Sequence, residues 1–359
     1  MKNVLYIALA LTLTACKTNS PTMVNQLDTP SARSNLTIEI NEIMSDSISI
    51  RALDYGNGAY WYSGSKGKYG KINAESGEVL KLQLPPGEAL TMEFRSLAVT
   101  EHYTYLLSAG SPALVYKITN ATNKVKLVYS ELGEKVFYDS MKFWDDQEGI
   151  AFGDPSKDCL SIIKTIDGGA TWNSSLCEDL PEFIIGEAGF AASNSNISLY
   201  KDHVWIVTGG AAARVLHSKD RGITWESYST PIISGGEMTG IYAVDFYDDK
   251  LGVVIGGDWN NKNDNLANKA ISYDGGNTWK LLNVDNGPGY CSDIVFIPET
   301  KGKELLAVGP QGIWWSGTQG DSWKKLSDQG FYTVKMISHK EGLLAGQNRI
   351  SSFSLRGDL

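Results

Sequence analysis

The stretch Ser272-Tyr273-Asp274-Gly275-Gly276-Asn277-Thr278-Trp279 decides how this chain is read. It returns as Thr165-Ile166-Asp167-Gly168-Gly169-Ala170-Thr171-Trp172, as Ser218-Lys219-Asp220-Arg221-Gly222-Ile223-Thr224-Trp225 and, decayed, as Ser316-Gly317-Thr318-Gln319-Gly320-Asp321-Ser322-Trp323. Between two strands such an octet is a turn with a mechanism. The Asp accepts backbone N–H bonds, the Gly supplies a positive φ, the Thr favours the strand that follows, and the Trp needs an apolar slot. Copies stand roughly 45 to 55 residues apart, the span of one four-stranded propeller blade.

A second repeated feature lies upstream of each box. A short alternating strand opens at Ser49-Ile50, Glu93-Phe94, Phe137-Tyr138, Gly189-Phe190, Ile241-Tyr242, Gly289-Tyr290 and Phe331-Tyr332, and each is followed by an apolar strand ending in Gly. These starts predict an all-β chain folded as a seven-bladed β-propeller over residues 36–359. The first two blades lack the box and keep only polar turns, Asn73-Ala74-Glu75-Ser76-Gly77 and Thr119-Asn120-Ala121-Thr122-Asn123. The last has room for three strands, so Leu36 to Ile43 is expected to supply its fourth and close the ring.

A chain of 359 residues with 42% hydrophobic side chains buries a large core, and the repeat spacing argues for one ring rather than several domains. The formal net charge of -9 argues against nucleic acid as a partner. At the amino end Lys2 precedes the apolar run Val4 to Leu13 and then Leu13-Thr14-Ala15-Cys16. That run reads as a signal peptide over residues 1–15, too short for a stable membrane span. Leu-Thr-Ala-Cys resembles the bacterial lipobox, which implies lipidation at Cys16 and attachment to a membrane through the acyl chains. Lys17 stands where an inner-membrane retention Asp would stand, so the expected location is the outer membrane of a bacterial envelope, facing the periplasm. Residues 16–35 read as a flexible tether. Cys159 and Cys177 flank the first box nearly opposite each other, and a cross-strand disulfide and two buried thiols both fit that spacing. Cys291 has no evident partner.

Catalytic motifs are missing: there is no His-Glu-x-x-His, Cys-x-x-Cys, phosphate-binding loop, dinucleotide fingerprint or Gly-x-Ser-x-Gly elbow. The four histidines, His102, His203, His217 and His339, lack metal-ligand spacing, and the calcium-like run Asp258 to Asp264 carries Lys262 at a ligand position, so neither a metal nor a cofactor is expected. The repeat alignment places Arg51, Arg95, Asp139, Ala191, Ala243, Cys291 and Thr333 in a circle at the channel mouth. Asp154, Arg214 and Asp258 come from Gly-ended loops, Glu187 from a connection between blades, and Trp259 from the longest loop of its class. Two readings of Arg51 and Arg95 stand. They clamp a carboxylate of a ligand, or they pair with Asp139 and Asp154 in a ring of structural salt bridges.

The octets resemble the Asp-box, or BNR, repeat of sialidase-like propellers, in which the box is a folding device; that resemblance makes Asp167, Trp172, Asp220, Trp225, Asp274, Trp279 and Trp323 structural. Glu93-Phe94-Arg95, Ser108-Ala109-Gly110-Ser111-Pro112, Phe143-Trp144-Asp145, Gly149-Ile150-Ala151-Phe152-Gly153-Asp154-Pro155 and Val308-Gly309-Pro310-Gln311-Gly312 resemble the photosystem II stability/assembly factor family and its bacterial relatives over about residues 45 to 355. The resemblance implies a seven-bladed propeller that binds an assembly intermediate and catalyses nothing. The expected function is therefore a lipid-anchored scaffold, a monomer, offering its top face to a protein or an envelope glycan. A glycoside hydrolase of sialidase or xyloglucanase type is the alternative, with carboxylates drawn from Asp139, Asp154, Glu187 and Asp258 and Arg51, Arg95 and Arg214 imitating a three-Arg clamp. The Arg-Ile-Pro motif of sialidases is absent, and an oxidoreductase rests on family labels alone.

Overall fold

The computed structural model describes residues 1, 35–84, 91–156, 159–282 and 287–357. Cys16, the signal segment and all but the last residue of the tether lie outside these. Apolar and polar side chains alternate along short segments bounded by Gly, Asn and Asp, and such segments pair as antiparallel strands. Phe94–Val99, Tyr103–Ser108, Ala113–Thr119 and Lys124–Glu131 make one such sheet; Ile197–Tyr200, His203–Val207, Arg214–Ser218 and Glu226–Ser229 make another. Burial falls across each sheet. Gly149–Gly153 is wholly buried, Ser161–Thr165 alternates, and Asn173–Ser174 at the edge is exposed. The first strands therefore face inward and the fourth strands face solvent.

Thr37–Gly56 belongs to two sheets. Its first part, Thr37 to Ser49, pairs with Gln347–Arg356, and from Ile50 onward it pairs with Ala59–Gly64. The strand expected over Leu36 to Ile43 thus runs further than anticipated, and Thr37 lies opposite Arg356. Apolar clusters fill the spaces between successive sheets. One joins Tyr105 and Leu107 to Met141, Ala151 and Trp172; another joins Trp205 and Val215 to Phe246, Val254 and Ala270. A further one joins Leu343, Ala345 and Ile350 to Ile50, Leu53 and Tyr60.

The octets fold as one turn repeated. The opening hydroxyl accepts the N–H of the second Gly: Gly169 to Thr165 at 2.8 Å, Gly222 to Ser218 at 2.7 Å, Gly276 to Ser272 at 2.8 Å and Gly320 to Ser316 at 2.8 Å. That Gly holds φ between 70° and 90° in all four, where an L side chain is strained. The Asp carboxylate then accepts the Thr N–H and O–H, at 2.9 and 2.7 Å for Asp274. Bonds from Thr171 hold Asp167 down at about 2. In the decayed copy Thr318 Oγ1 replaces the carboxylate and accepts Ser322 N–H at 2.9 Å, so the turn survives without its acid. Trp279 and Trp323 donate to Gly276 O and Gly320 O, each at 2.9 Å, and lie against the clusters between sheets.

Cys159 and Cys177 are joined in a disulfide with Cα atoms 5.5 Å apart, and Cys291 is a buried free thiol. No helix among the described residues is long and apolar enough to cross a membrane.

Candidate functional site

The innermost strands share an irregularity that builds the site. Ile50 pairs with Gly64 and Ala52 with Ser63, so Arg51 is skipped by the ladder. Arg95 is skipped between Phe94 and Ser96, Asp139 between Tyr138 and Ser140, and Tyr242 between Ile241 and Ala243. Each is a β-bulge, which takes one side chain out of the pleat and re-aims it. Here the re-aimed chains collect at the end of the sheets where the first strands begin.

Around them lies a cavity of about 340 Å³ lined by Arg51, Arg95, Phe190, Tyr242, Trp259 and Tyr290, among others. A neighbouring cleft of about 430 Å³ is lined by Glu93, Arg95, Ser111 and Phe137, so Arg95 and Phe137 form the wall between the two. The aromatic side is rigid. Phe190 stacks on Tyr242 with ring centroids 4.0 Å apart, and Tyr290 meets Tyr242 edge-on at 4.7 Å. Trp259 stands at the rim, 44% exposed, with the Lys262 ammonium 4.0 Å above its ring.

Arg51 and Arg95 are positioned rather than spent. The Arg51 guanidinium lies 4.3 Å over the Tyr332 ring and its Nη1 donates to Ala192 O at 3.2 Å. Arg95 reaches Glu93 only at 4.0 Å, and its Nε has no hydrogen-bond partner. Burial, and then repulsion from Arg51, lower its pKa. The Asp139 side chain is fully buried and neither oxygen has a partner at full hydrogen-bond geometry, the Ala191 N–H acting on it only as a weak donor. Burial first, and the nearby Asp154 second, push it well above the usual carboxylate range, against the attraction of Arg95. Asp154 Oδ1 accepts Gly189 N–H at 2.7 Å, and burial raises it to about 6. The ring of salt bridges from Arg51 and Arg95 to Asp139 does not form.

Other expected residues lie elsewhere. Arg214 and Glu187 are a buried fork-to-fork pair: Nε to Oε1 at 3.0 Å and Nη2 to Oε2 at 2.5 Å, with Thr208 Oγ1 adding 2.6 Å to Oε1. Arg214 also donates to Glu182 O and Ser227 Oγ. Its donors are consumed, so it does not join Arg51 and Arg95 in a three-Arg clamp. Asp258 Oδ1 closes its own turn by accepting Asn260 N–H at 2.8 Å. For hydrolysis the carboxylates are badly placed: Asp139 sits beneath Gly189, where even a methyl group would strike its Oδ2, and it lines neither cavity.

The expected circle also slips by one residue. Ala243, Cys291 and Thr333 are buried in packing. Tyr242 occupies the bulge, and Tyr332, not Thr333, meets Arg51. The sequence alignment sets Ile241-Tyr242 against Ser49-Ile50, whereas the bulges set Tyr242 against Arg51, so in that sheet the count runs one residue late.

A charged tier further along the first strands was not anticipated. Lys335 Nζ lies 2.6 Å from Asp54; both line a cavity of about 390 Å³ with Lys142 and Asp245, and Asp293 is close by. Each acid accepts an N–H from the first strand of a neighbouring sheet: Val99 to Asp54 at 3.2 Å, Phe296 to Asp245 at 2.8 Å, Val334 to Asp293 at 2.9 Å. The signal available in sequence was a charge three residues after the bulge in otherwise apolar strands, at Asp54, Lys142 and, counting from Tyr242, Asp245.

No protein-family model matches the chain, and no curated protein matches it. Solved structures do. The structure titled "YCF48 bound to D1 peptide" superposes with a TM-score of 0.64 at 13% identity, covering 89% of this chain and 96% of that one. YCF48 from Cyanidioschyzon merolae gives 0.62 at 11%, covering 89% and 98%. The RRP9 WD40 repeats give 0.62 at 12%, with the same coverage. At such identities the likeness shows the fold alone, a β-propeller-type all-β chain.

Proposed function

We propose that this protein is a non-enzymatic binding scaffold of the bacterial envelope: a seven-bladed propeller, closed by its amino-terminal strand and tethered by lipid at Cys16, that holds an acidic segment of a protein partner on its top face. One observation carries the reading. Two guanidiniums without carboxylate partners at hydrogen-bond distance, Arg51 and Arg95, flank a rigid aromatic cavity that no acid–base pair faces. Such a surface supplies bidentate donors and apolar area, which serve recognition, and lacks the paired carboxylates that glycoside cleavage requires. A solved neighbour that carries a peptide supports a protein partner over a glycan. Nucleic acid is not a partner in this reading, and the protein acts as a monomer facing the periplasm.

The test compares capture from envelope extract by wild type and by the Arg51→Ala/Arg95→Ala double variant, with both screened for glycosidase turnover. A protein retained by wild type and lost by the variant, without turnover, is the expected result. Turnover that disappears in Asp139→Asn or Asp154→Asn would make the protein a hydrolase.

A further inference from the structure

Beneath the cavity lies a feature that binding alone does not require: a fully buried carboxylate, Asp139, with no more than a weak Ala191 N–H donor, on the first strand next to that of a guanidinium whose Nε has no hydrogen bond and reaches Glu93 only at 4.0 Å. We propose that anion binding between Arg51 and Arg95 is coupled to uptake of a proton by the Asp139–Asp154 pair, so that the scaffold grips its acidic partner more tightly as the pH falls.

The argument is one of linkage through space and rests on the top-face reading above. Arg95 and Asp139 occupy matching bulges of adjacent sheets. In this buried setting the Arg95 charge is the chief attraction that favours the ionised form of Asp139, while burial and Asp154 oppose it. An anion seated on Arg95 cancels that attraction. The nearest net charge that Asp139 then feels is the negative one of Asp154, and its proton affinity rises. By reciprocity, a protonated pair leaves Arg95 with more positive field to offer, and the anion binds better.

The charged groups facing this centre from every packed element are few. Asp154 and Arg95 face Asp139; Arg51, Glu93 and Asp139 face Arg95; the segment Gly189 to Ala192 that covers the pair carries no charge. No histidine of the chain stands in their place: His102 pairs with Asp146, His203 with His217, and His339 with Glu299. Protonation does not require solvent at Asp139 itself, since Asp154 is only partly buried and shares the site.

Calorimetry on the full chain tests this with phenylmethanesulfonate, a probe that stays anionic throughout the range and carries one ring for the aromatic wall. Titrations at pH 7 in buffers of different ionisation enthalpy report protons taken up per probe bound. The expected uptake is ~0.3–1 proton in wild type and close to zero in Asp139→Asn, which still binds the probe. Between pH 6 and 8 the wild-type Kd is expected to rise ~4- to 100-fold while that of the variant changes less than about twofold. Asp154→Asn provides the same reading if Asp139→Asn does not fold, and circular dichroism checks both. Wild-type binding that Arg51→Ala abolishes but that shows no buffer dependence overturns the coupling and leaves the anion site intact. Proton uptake that persists in both carboxamide variants overturns it too. Absence of any binding by wild type removes the coupling and the anion site together.

Discussion

Replacing Asp139 by Asn should make this protein more stable. The side chain is fully buried, and its charged form gives up water for no more than the attraction of Arg95 and a weak Ala191 N–H, which burial and Asp154 outweigh. The carboxamide is buried to the same degree, so the difference is the penalty of an acid held above its unfolded pKa, ~1.4 kcal/mol for each pH unit between the unfolded and folded values and on the order of 1–3 kcal/mol near neutral pH. With an unfolding entropy of ~2.1 cal/mol/K per residue over the propeller, that range converts to a rise in Tm of roughly 2–4 °C. The pH dependence gives the sharper test. A carboxyl whose folded pKa lies above its unfolded value of about 4 holds its proton more tightly when folded. Its stability contribution is complete below about pH 4 and is lost as pH rises through the folded pKa. Wild type and Asp139→Asn should therefore melt together near pH 4 and separate progressively towards pH 8, with the variant higher. Differential scanning calorimetry across that range decides it. A variant that melts lower at pH 8, or a gap independent of pH, would refute the claim that Asp139 is an uncompensated buried acid.

Three further outcomes follow from the same geometry. Arg214→Ala leaves the Glu187 carboxylate buried beside Thr208 without its cation, and chemical denaturation should show a loss of ~3–5 kcal/mol, against a small effect for Arg214→Ala/Glu187→Gln. His217, stacked on Trp205 and hydrogen-bonded to His203 at 2.9 Å, is pushed down to about 4, chiefly by burial. Its contribution is present above about pH 6.5 and is lost as pH falls towards 4, by roughly 2–3 kcal/mol in denaturation midpoints, and His217→Phe should remove that acid-side slope. Asp274→Ala strips the Thr278 N–H and O–H of their acceptor, and hydrogen exchange should quicken locally at Gly276 to Trp279 with a global loss of about 1–2 kcal/mol; unchanged exchange there would count against the turn mechanism.

What sequence revealed and what it hid divide along a physical line. The box turns were legible because their bonds close within five residues: Ser272 to Gly276 and Asp274 to Thr278 are fixed by spacing alone. Even the copy at Ser316 was recognisable, since its hydroxyl and Gly are the parts that set the turn. The two arginines were legible for a related reason, as charges at matching positions of apolar strands. Tyr242 was not, because an aromatic there looks like one more apolar strand residue and carries no charge to mark the bulge position. Least legible were interactions across the channel. Asn194, at φ 63°, donates to Leu97 O at 2.7 Å and accepts from Met141 N at 3.0 Å, joining elements about a hundred residues apart in the first case. Asp54, Asp245 and Asp293 do comparable work on N–H groups of neighbouring first strands. In each of those cases a first strand gains an acceptor that its own sheet does not provide. Asp139 stands at the bulge position that Arg95 holds in its own sheet and is more deeply buried, yet it takes no N–H from a neighbouring first strand, only a weak one from Ala191. Among the buried carboxylates near the channel it is thus the one that fold stability does not explain, and a charge retained against stability is where function is to be sought.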